Sequence, residues 1–442
     1  MFFKIRNYIF SFKFGQYCFY TGLFLLASAP LLSAIFLLYS TILGVIKVEK
    51  EYKNNKFNYI FLVCTIILIM SAISHIFFDS NYLIEWNYTY SFIGLSNLIP
   101  YFICFSGFQS YLKTKLDRKR FCLFLIFGSI PIVFSGFTQT FLGWYGPYEI
   151  FNGLIIWYQR QMPTLTGLFN NPNYTSAWLV SIIPFSIGLL IKKKKNIFSK
   201  LVELIIFFLL LTTIILTGSR SGWLGSMIAI FLSLNFNMNF LIYFILSILT
   251  IFLIDIGFLS LAFFNFLYKL VPIYFKQEFQ ILSLENLDQF TRLSIWKNTL
   301  ILLKEKPLFG YGASSFTELY ANKVSDIGYA HAHNLFLELA ISYGVLIPII
   351  LLITFIYLIY KSSLKIKFFN KYEKINLIDR SLIISAIIIV FTQLLDVQYY
   401  DFRIGVLLWL LMSSLKCIID DKSFYENNTV KENLYPKTNS LF

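Results

Sequence analysis

Charge is scarce in this chain. Asp, Glu, Lys and Arg make up 14% of 442 residues, well below the roughly 25% of an ordinary soluble domain. So few charges cannot clothe a water-facing surface, which excludes a soluble globular protein. Cysteine gives no framework either. None of the five cysteines (Cys18, Cys64, Cys104, Cys122 and Cys417) forms a CxxC pair or joins a histidine ligand set. Neither a disulfide scaffold nor a zinc site is therefore indicated. Gly310 and Gly312 lack a preceding strand and a third glycine, so no dinucleotide fingerprint is present. No internal repeat is evident.

What is abundant is apolar surface. Hydrophobic residues reach 57% and aromatic residues 19%, with a mean hydropathy of +0.68. Runs long enough to cross a bilayer recur along almost the whole chain. The expected fold is an all-α polytopic membrane bundle of about twelve spans: 14–29, 31–46, 57–78, 90–112, 121–142, 173–191, 201–217, 222–236, 240–263, 333–360, 381–397 and 402–419. Residues 14–46 read as one long helix or as two, with Pro30 as the kink or turn. The basic N-terminus, Met1 to Phe14, has no convincing cleavage site and reads as the start of a retained first span.

The net charge of +14 would suit a nucleic-acid partner, but its distribution does not. Most of the 37 Lys and Arg sit at the N-terminus, at 47–56, 113–120, 192–200 and 361–380, and near the C-terminal end. With twelve spans all of these fall on one side, as the positive-inside rule requires, which puts both termini in the cytoplasm. Two segments then lie outside, about 143–172 and 264–332. The expected organisation is spans one to nine over 1–263, an extracytoplasmic loop over 264–332, spans ten to twelve over 333–419 and a polar cytoplasmic tail over 420–442.

Chemistry must come from few residues. Of the three histidines, His75 near the outer end of the third span reads as solvated or interfacial. His331 and His333 sit where the large loop meets the tenth span. A histidine there titrates near neutral pH and can serve as a general base. A metal would need more ligands, and no nearby Cys, Asp or Glu completes a shell with this pair. Arg220 lies in the tight turn Thr217-Gly218-Ser219-Arg220-Ser221-Gly222, where small residues let a ligand approach the backbone and a guanidinium suits phosphate. Arg292 and Trp296 lie on an amphipathic segment that leads to the turn Lys306-Pro307-Leu308-Phe309-Gly310-Tyr311-Gly312. Arg160 lies in the outer segment before Asn170-Asn171-Pro172-Asn173, where Asn173 reads as the cap of the sixth span. Asp255 and Glu338 fall within expected spans, where a carboxylate faces a cavity or a partner.

Taken together these residues resemble the O-antigen ligase family, which includes related polysaccharide polymerases. The resemblance runs from about Leu165 to Pro348. It rests on Gly167 to Asn173, Ser219-Arg220-Ser221-Gly222, Arg292 with Trp296, Pro307 to Gly312, and His333-Asn334. A histidine, then Asn, Ser or Gln, then nine residues and a glycine matches His333, Asn334 and Gly344. The signature's later Gly, Thr or Tyr position is Ile347 here.

The resemblance implies a bacterial inner-membrane glycosyltransferase with a large periplasmic loop before its tenth span. Such an enzyme moves a glycan from an undecaprenyl-diphosphate carrier to the hydroxyl of a glycolipid (lipid A–core or similar) or glycan acceptor. It needs neither nucleotide nor metal, and its partners are membrane lipids and these substrates, not nucleic acid. By the same resemblance His333 is the base, and Arg220 and Arg292 hold the diphosphate. His331, Asn334 and Arg160 are auxiliary candidates. A polymerase of the same family is one alternative, and a membrane transporter related to inorganic-carbon uptake is another.

Overall fold

The computed structural model describes residues 11–47, 55–77, 86–191, 196–234, 291–324, 329–368 and 376–422. The expected ninth span (240–263), Asp255, the first part of the large loop and most of the tail lie outside the described residues. The described chain is mostly helical. Its two short strands form one hairpin, β1 (Tyr148–Ile150) and β2 (Ile155–Trp157), paired antiparallel.

Among the described residues nine helices are long and apolar enough to cross a membrane. The first region is two helices, α1 (Phe12–Leu25) and α2 (Pro30–Lys47), so Pro30 marks a turn and opens the second helix, where its missing N–H costs nothing. There follow α3 (Lys56–Ser74), α4 (Thr89–Gly94), α5 (Ile99–Gln109), α6 (Lys115–Gly128), α7 (Ile130–Leu142), α8 (Pro172–Leu190), α9 (Ile197–Leu216) and α10 (Arg220–Leu234). The fourth and fifth spans each contain a break: a 3₁₀ turn at Leu95–Asn97 separates α4 from α5, and Ser129 separates α6 from α7. Beyond the undescribed stretch come α11 (Thr291–Glu305), α12 (Phe316–Lys323), α13 (Leu335–Tyr343), α14 (Leu346–Lys365), α15 (Leu377–Leu395) and α16 (Phe402–Asp420).

One expected span is divided. Residues 333–360 were expected as a single helix, but α13 ends at Tyr343 and α14 begins at Leu346. Nine residues give α13 a length of about 14 Å, too short to cross a hydrocarbon core. The break is built by glycine. Gly344 has φ 88°, and a Cβ there would stand 1.9 Å from the Leu308 carbonyl oxygen. The Pro307–Gly312 segment lies against this break: Val345 N donates to Pro307 O (2.8 Å), Tyr311 N to Ile341 O (2.7 Å) and Gly312 N to Ser342 O (3.1 Å). Gly310, at φ 68°, would bring a Cβ to 2.3 Å from Ile341 O. Backbone therefore meets backbone where no side chain fits.

The centre of the bundle is α8, α15 and α16. In α8 and α16, 83% of the apolar window is buried, against 17% for peripheral α9. Apolar side chains all round a helix mark a buried one. Small residues let α8 approach its neighbours: a Cβ on Gly188 would meet Ser381 Oγ of α15 at 2.2 Å, and one on Gly222 of α10 would meet Ser176 Oγ at 1.5 Å. Outward-facing Leu38, Ile42, Leu62, Ile66, Ile353 and Ile356 remain exposed, as side chains facing lipid tails would.

Two polar clusters sit at opposite ends of α15, about 26 Å apart by helical rise. At its start, Arg118 of α6 is fully buried against Asp379, with Nε–Oδ1 at 2.6 Å and Nη2–Oδ2 at 3.1 Å. The same guanidinium reaches Asp421 (2.8 Å) and the carbonyls of Leu112 and Lys113. At the other end of α15 lies Asp396.

Candidate active site

Asp396 follows the last turn of α15 and is 2% exposed. Its Oδ1 lies 3.1 Å from His333 Nδ1 and 3.8 Å from His331 Nδ1. Its Oδ2 accepts from Asn173 Nδ2 at 3.1 Å. Burial pushes this carboxyl up. The hydrogen bond from His333, the charges of both histidines and the Val397 N–H outweigh that, and its pKa ends below the ordinary carboxylate value. Asp396 is thus an anion placed to accept from His333 Nδ1, and in a neutral imidazole that hydrogen bond leaves the lone pair on Nε2.

The loop that presents the histidines is tightly specified. His333 has φ 48°, a left-handed conformation costly for a residue with a Cβ and typical of functional positions. Its N–H donates to His331 Nδ1 (3.3 Å), and the two rings stand edge to face at 4.4 Å. His331 has a lowered pKa, chiefly from burial, with the charges of His333 and Arg292 adding to it and Asp396 opposing. Asn334 caps α13, accepting from Phe336 N and Leu337 N, while its Nδ2 donates to Leu394 O (3.0 Å). It therefore ties the histidine loop to the end of α15. Glu338 was expected inside a span. It lies in α13, buried, and its Oε2 accepts from Ala332 N between the two histidines at 2.9 Å. Desolvation raises its pKa to about 7.

The two arginines lie on different helices. Arg292 and Trp296 share one face of α11, and Trp296 Nε1 donates to His333 O at 3.4 Å. Arg292 is close enough for its charge to act on His331. Arg220 is exposed as the first residue of α10. Gly218, at φ 65°, makes the turn before it, and Ser219 N and Gly222 N are held by Thr217 Oγ1 and Ser219 Oγ. Gly222 presses on Ser176, one helical turn along α8 from Asn173. Arg160 has an exposed side chain. Its backbone N–H donates to Thr166 Oγ1 and its carbonyl accepts from Gln139 Nε2.

Three local expectations are corrected. Asn171, not Asn173, caps α8: its Oδ1 takes Asn173 N at 2.8 Å, which frees the Asn173 side chain for Asp396. His75 is not solvated. It is 3% exposed, with Nε2 at Gly310 O (3.3 Å) and Nδ1 at Ser91 Oγ (2.9 Å), and it fastens the end of α3 to the glycine turn. A carboxylate does accompany the histidine pair. Asp396 escaped notice because it lies 63 residues along the chain from His333. It does fall inside the expected span 381–397, so the rule that a carboxylate within a span faces a cavity or a partner covers it as it covers Asp255 and Glu338. His331, His333 and Asp396 offer ligand atoms within 4.8 Å of one another, a set of three that could hold a metal ion. In the structure the shortest of these approaches is a histidine–carboxylate hydrogen bond.

Residues 205–352 match the O-antigen ligase family. The matched stretch carries Arg220, Arg292, His331, His333, Asn334 and Gly344. No curated protein matches the chain.

Proposed function

We propose that this protein is a membrane glycosyltransferase that moves a glycan from an undecaprenyl-diphosphate carrier to an acceptor hydroxyl on a glycolipid or glycan outside the cytoplasm. The observation that carries this reading is the His333–Asp396 hydrogen bond of 3.1 Å, beside a helix that bears Arg292. A base oriented by a buried anion is the arrangement that deprotonates a hydroxyl.

In the proposed step the acceptor oxygen attacks the anomeric carbon. A new C–O bond forms, the bond from that carbon to the diphosphate oxygen breaks, and the diphosphate leaves with the electron pair. The acceptor proton passes to His333 Nε2. Asp396 stabilises the imidazolium that results. Arg292 and Arg220 meet the charge gathering on the leaving group. No metal takes part in this scheme, so transfer persists in a chelator. Loss of transfer in EDTA, restored by a divalent cation, would favour the metal-holding use of the same three groups.

The test is transfer from a lipid-linked glycan to candidate acceptors by purified protein, wild type against His333→Ala. Loss of transfer in a folded variant supports the reading, and full transfer removes His333 as the base. One added glycan block per acceptor indicates a ligase. A ladder of repeats indicates a polymerase, which uses the same donor and leaving group.

A further inference from the structure

A second polar feature adjoins this cluster and has no part in the step above. A cavity of about 470 Å³ opens between the start of α2, the β1–β2 hairpin and the start of α16, within the ~300–1,000 Å³ range of ligand pockets. One wall is apolar, made by Pro30, Leu31, Leu154 and Ile156. The rest of its lining includes Tyr158, Tyr174, Tyr400, Asn170, Asp401 and Arg403. The two charges there are spent on each other: Arg403 Nε and Nη2 donate to Asp401 Oδ1 (2.8 Å) and Oδ2 (2.5 Å). Arg403 also lies 3.6 Å over the Phe169 ring and donates to Leu168 O at 3.2 Å. The pair is neutral as a unit, so the cavity is not built for an anion.

What remains is a set of tyrosine rings, hydroxyls, an exposed amide and one carboxylate edge. Rings offer flat faces to the C–H face of a pyranose, and fixed donors and acceptors suit its hydroxyls. The apolar wall starts at the end of a span, where Leu31 is 52% exposed, which suits a sugar carried on a lipid. The cavity also shares the first turn of α8 with the histidine cluster. Tyr174 lines it and donates to Val397 O (3.3 Å), while the adjacent Asn173 holds Asp396.

We infer that this cavity is a saccharide subsite, which takes a sugar of a lipid-linked glycan and sets it beside His333. The inference rests on the transferase reading above, and it deepens that reading by naming where substrate sugar is held.

The test uses full-length protein in nanodiscs and measures equilibrium binding, so its outcome does not depend on turnover. Two probe pairs distinguish the source of the sugar: a polyprenyl-diphosphate-linked glycan against the same lipid diphosphate without sugar, and an acceptor glycolipid against its sugar-free lipid. Wild type binds the glycosylated member of at least one pair about tenfold more tightly. Leu154→Trp, which fills the cavity, removes that preference, and Tyr158→Ala and Asn170→Ala each weaken it. Binding of the sugar-free lipids is unchanged throughout. The pair that responds identifies the sugar as the donor's or the acceptor's. Equal binding within both pairs by wild type, or an undiminished preference in all three folded variants, overturns the inference. A retained preference in a protein that never transfers would instead indict the transferase reading.

Discussion

Asn173 and His333 share one carboxylate. Asn173 Nδ2 donates to Asp396 Oδ2 at 3.1 Å, and His333 Nδ1 lies 3.1 Å from Asp396 Oδ1. Three segments far apart in sequence thus meet at a single buried anion. The family match at 205–352 includes only the histidine.

That geometry predicts the behaviour of Asp396→Asn. The amide keeps the shape but not the charge, and it can turn a donor toward His333, which favours the wrong tautomer. Transfer should fall about 10²–10⁴-fold in a protein that still folds. Asn173→Ala removes a support and should cost less. Steady-state transfer rates, with size-exclusion profiles to confirm folding, check both.

Glu338 predicts a pH dependence of stability. Its folded pKa of about 7 lies above that of an unfolded glutamate, so the folded state binds more protons between the two values. Its contribution to stability is present at low pH and is lost as pH rises through 7. Glu338→Gln still accepts from Ala332 N and removes this titration. The variant should therefore gain stability over wild type at pH ~8, on the order of 3 kcal/mol, and little at pH ~5. Thermal unfolding of both proteins at the two pH values reads the difference.

Gly344→Ala should be severe. The alanine would sit at φ 88° with its Cβ inside contact distance of Leu308 O, and strain of this kind costs about 1–3 kcal/mol before any clash is counted. A lowered unfolding temperature or loss of folded yield is expected. Unchanged stability would mean that the α13–α14 break does not depend on glycine.

Arg118→Ala separates stability from chemistry. It leaves Asp379 buried without its main partner, at a cost of about 3–5 kcal/mol, some 26 Å by helical rise from Asp396, the partner of the histidines. Folded yield should drop, and the rate per folded molecule should not.

The spans were legible because a bilayer imposes length and hydropathy on each segment separately. Pro30 and the Arg292–Trp296 helix were legible for the same local reason. Asp396 was legible only as a carboxylate within the expected span 381–397; its partners were not, since they come from other segments. His75 misled because its burial is made by Gly310 and Ser91, supplied by other parts of the chain. The division of 333–360 was hidden because Gly344 sits in a run whose hydropathy is continuous. Only packing of Pro307–Gly312 against it shows why the helix must stop.

The central claim is tested most directly by single-turnover transfer from a lipid-linked glycan by purified protein, wild type against His333→Ala. The account predicts that wild type transfers the glycan and that the folded variant binds the donor but fails to transfer it. Transfer at the wild-type rate by His333→Ala would contradict it.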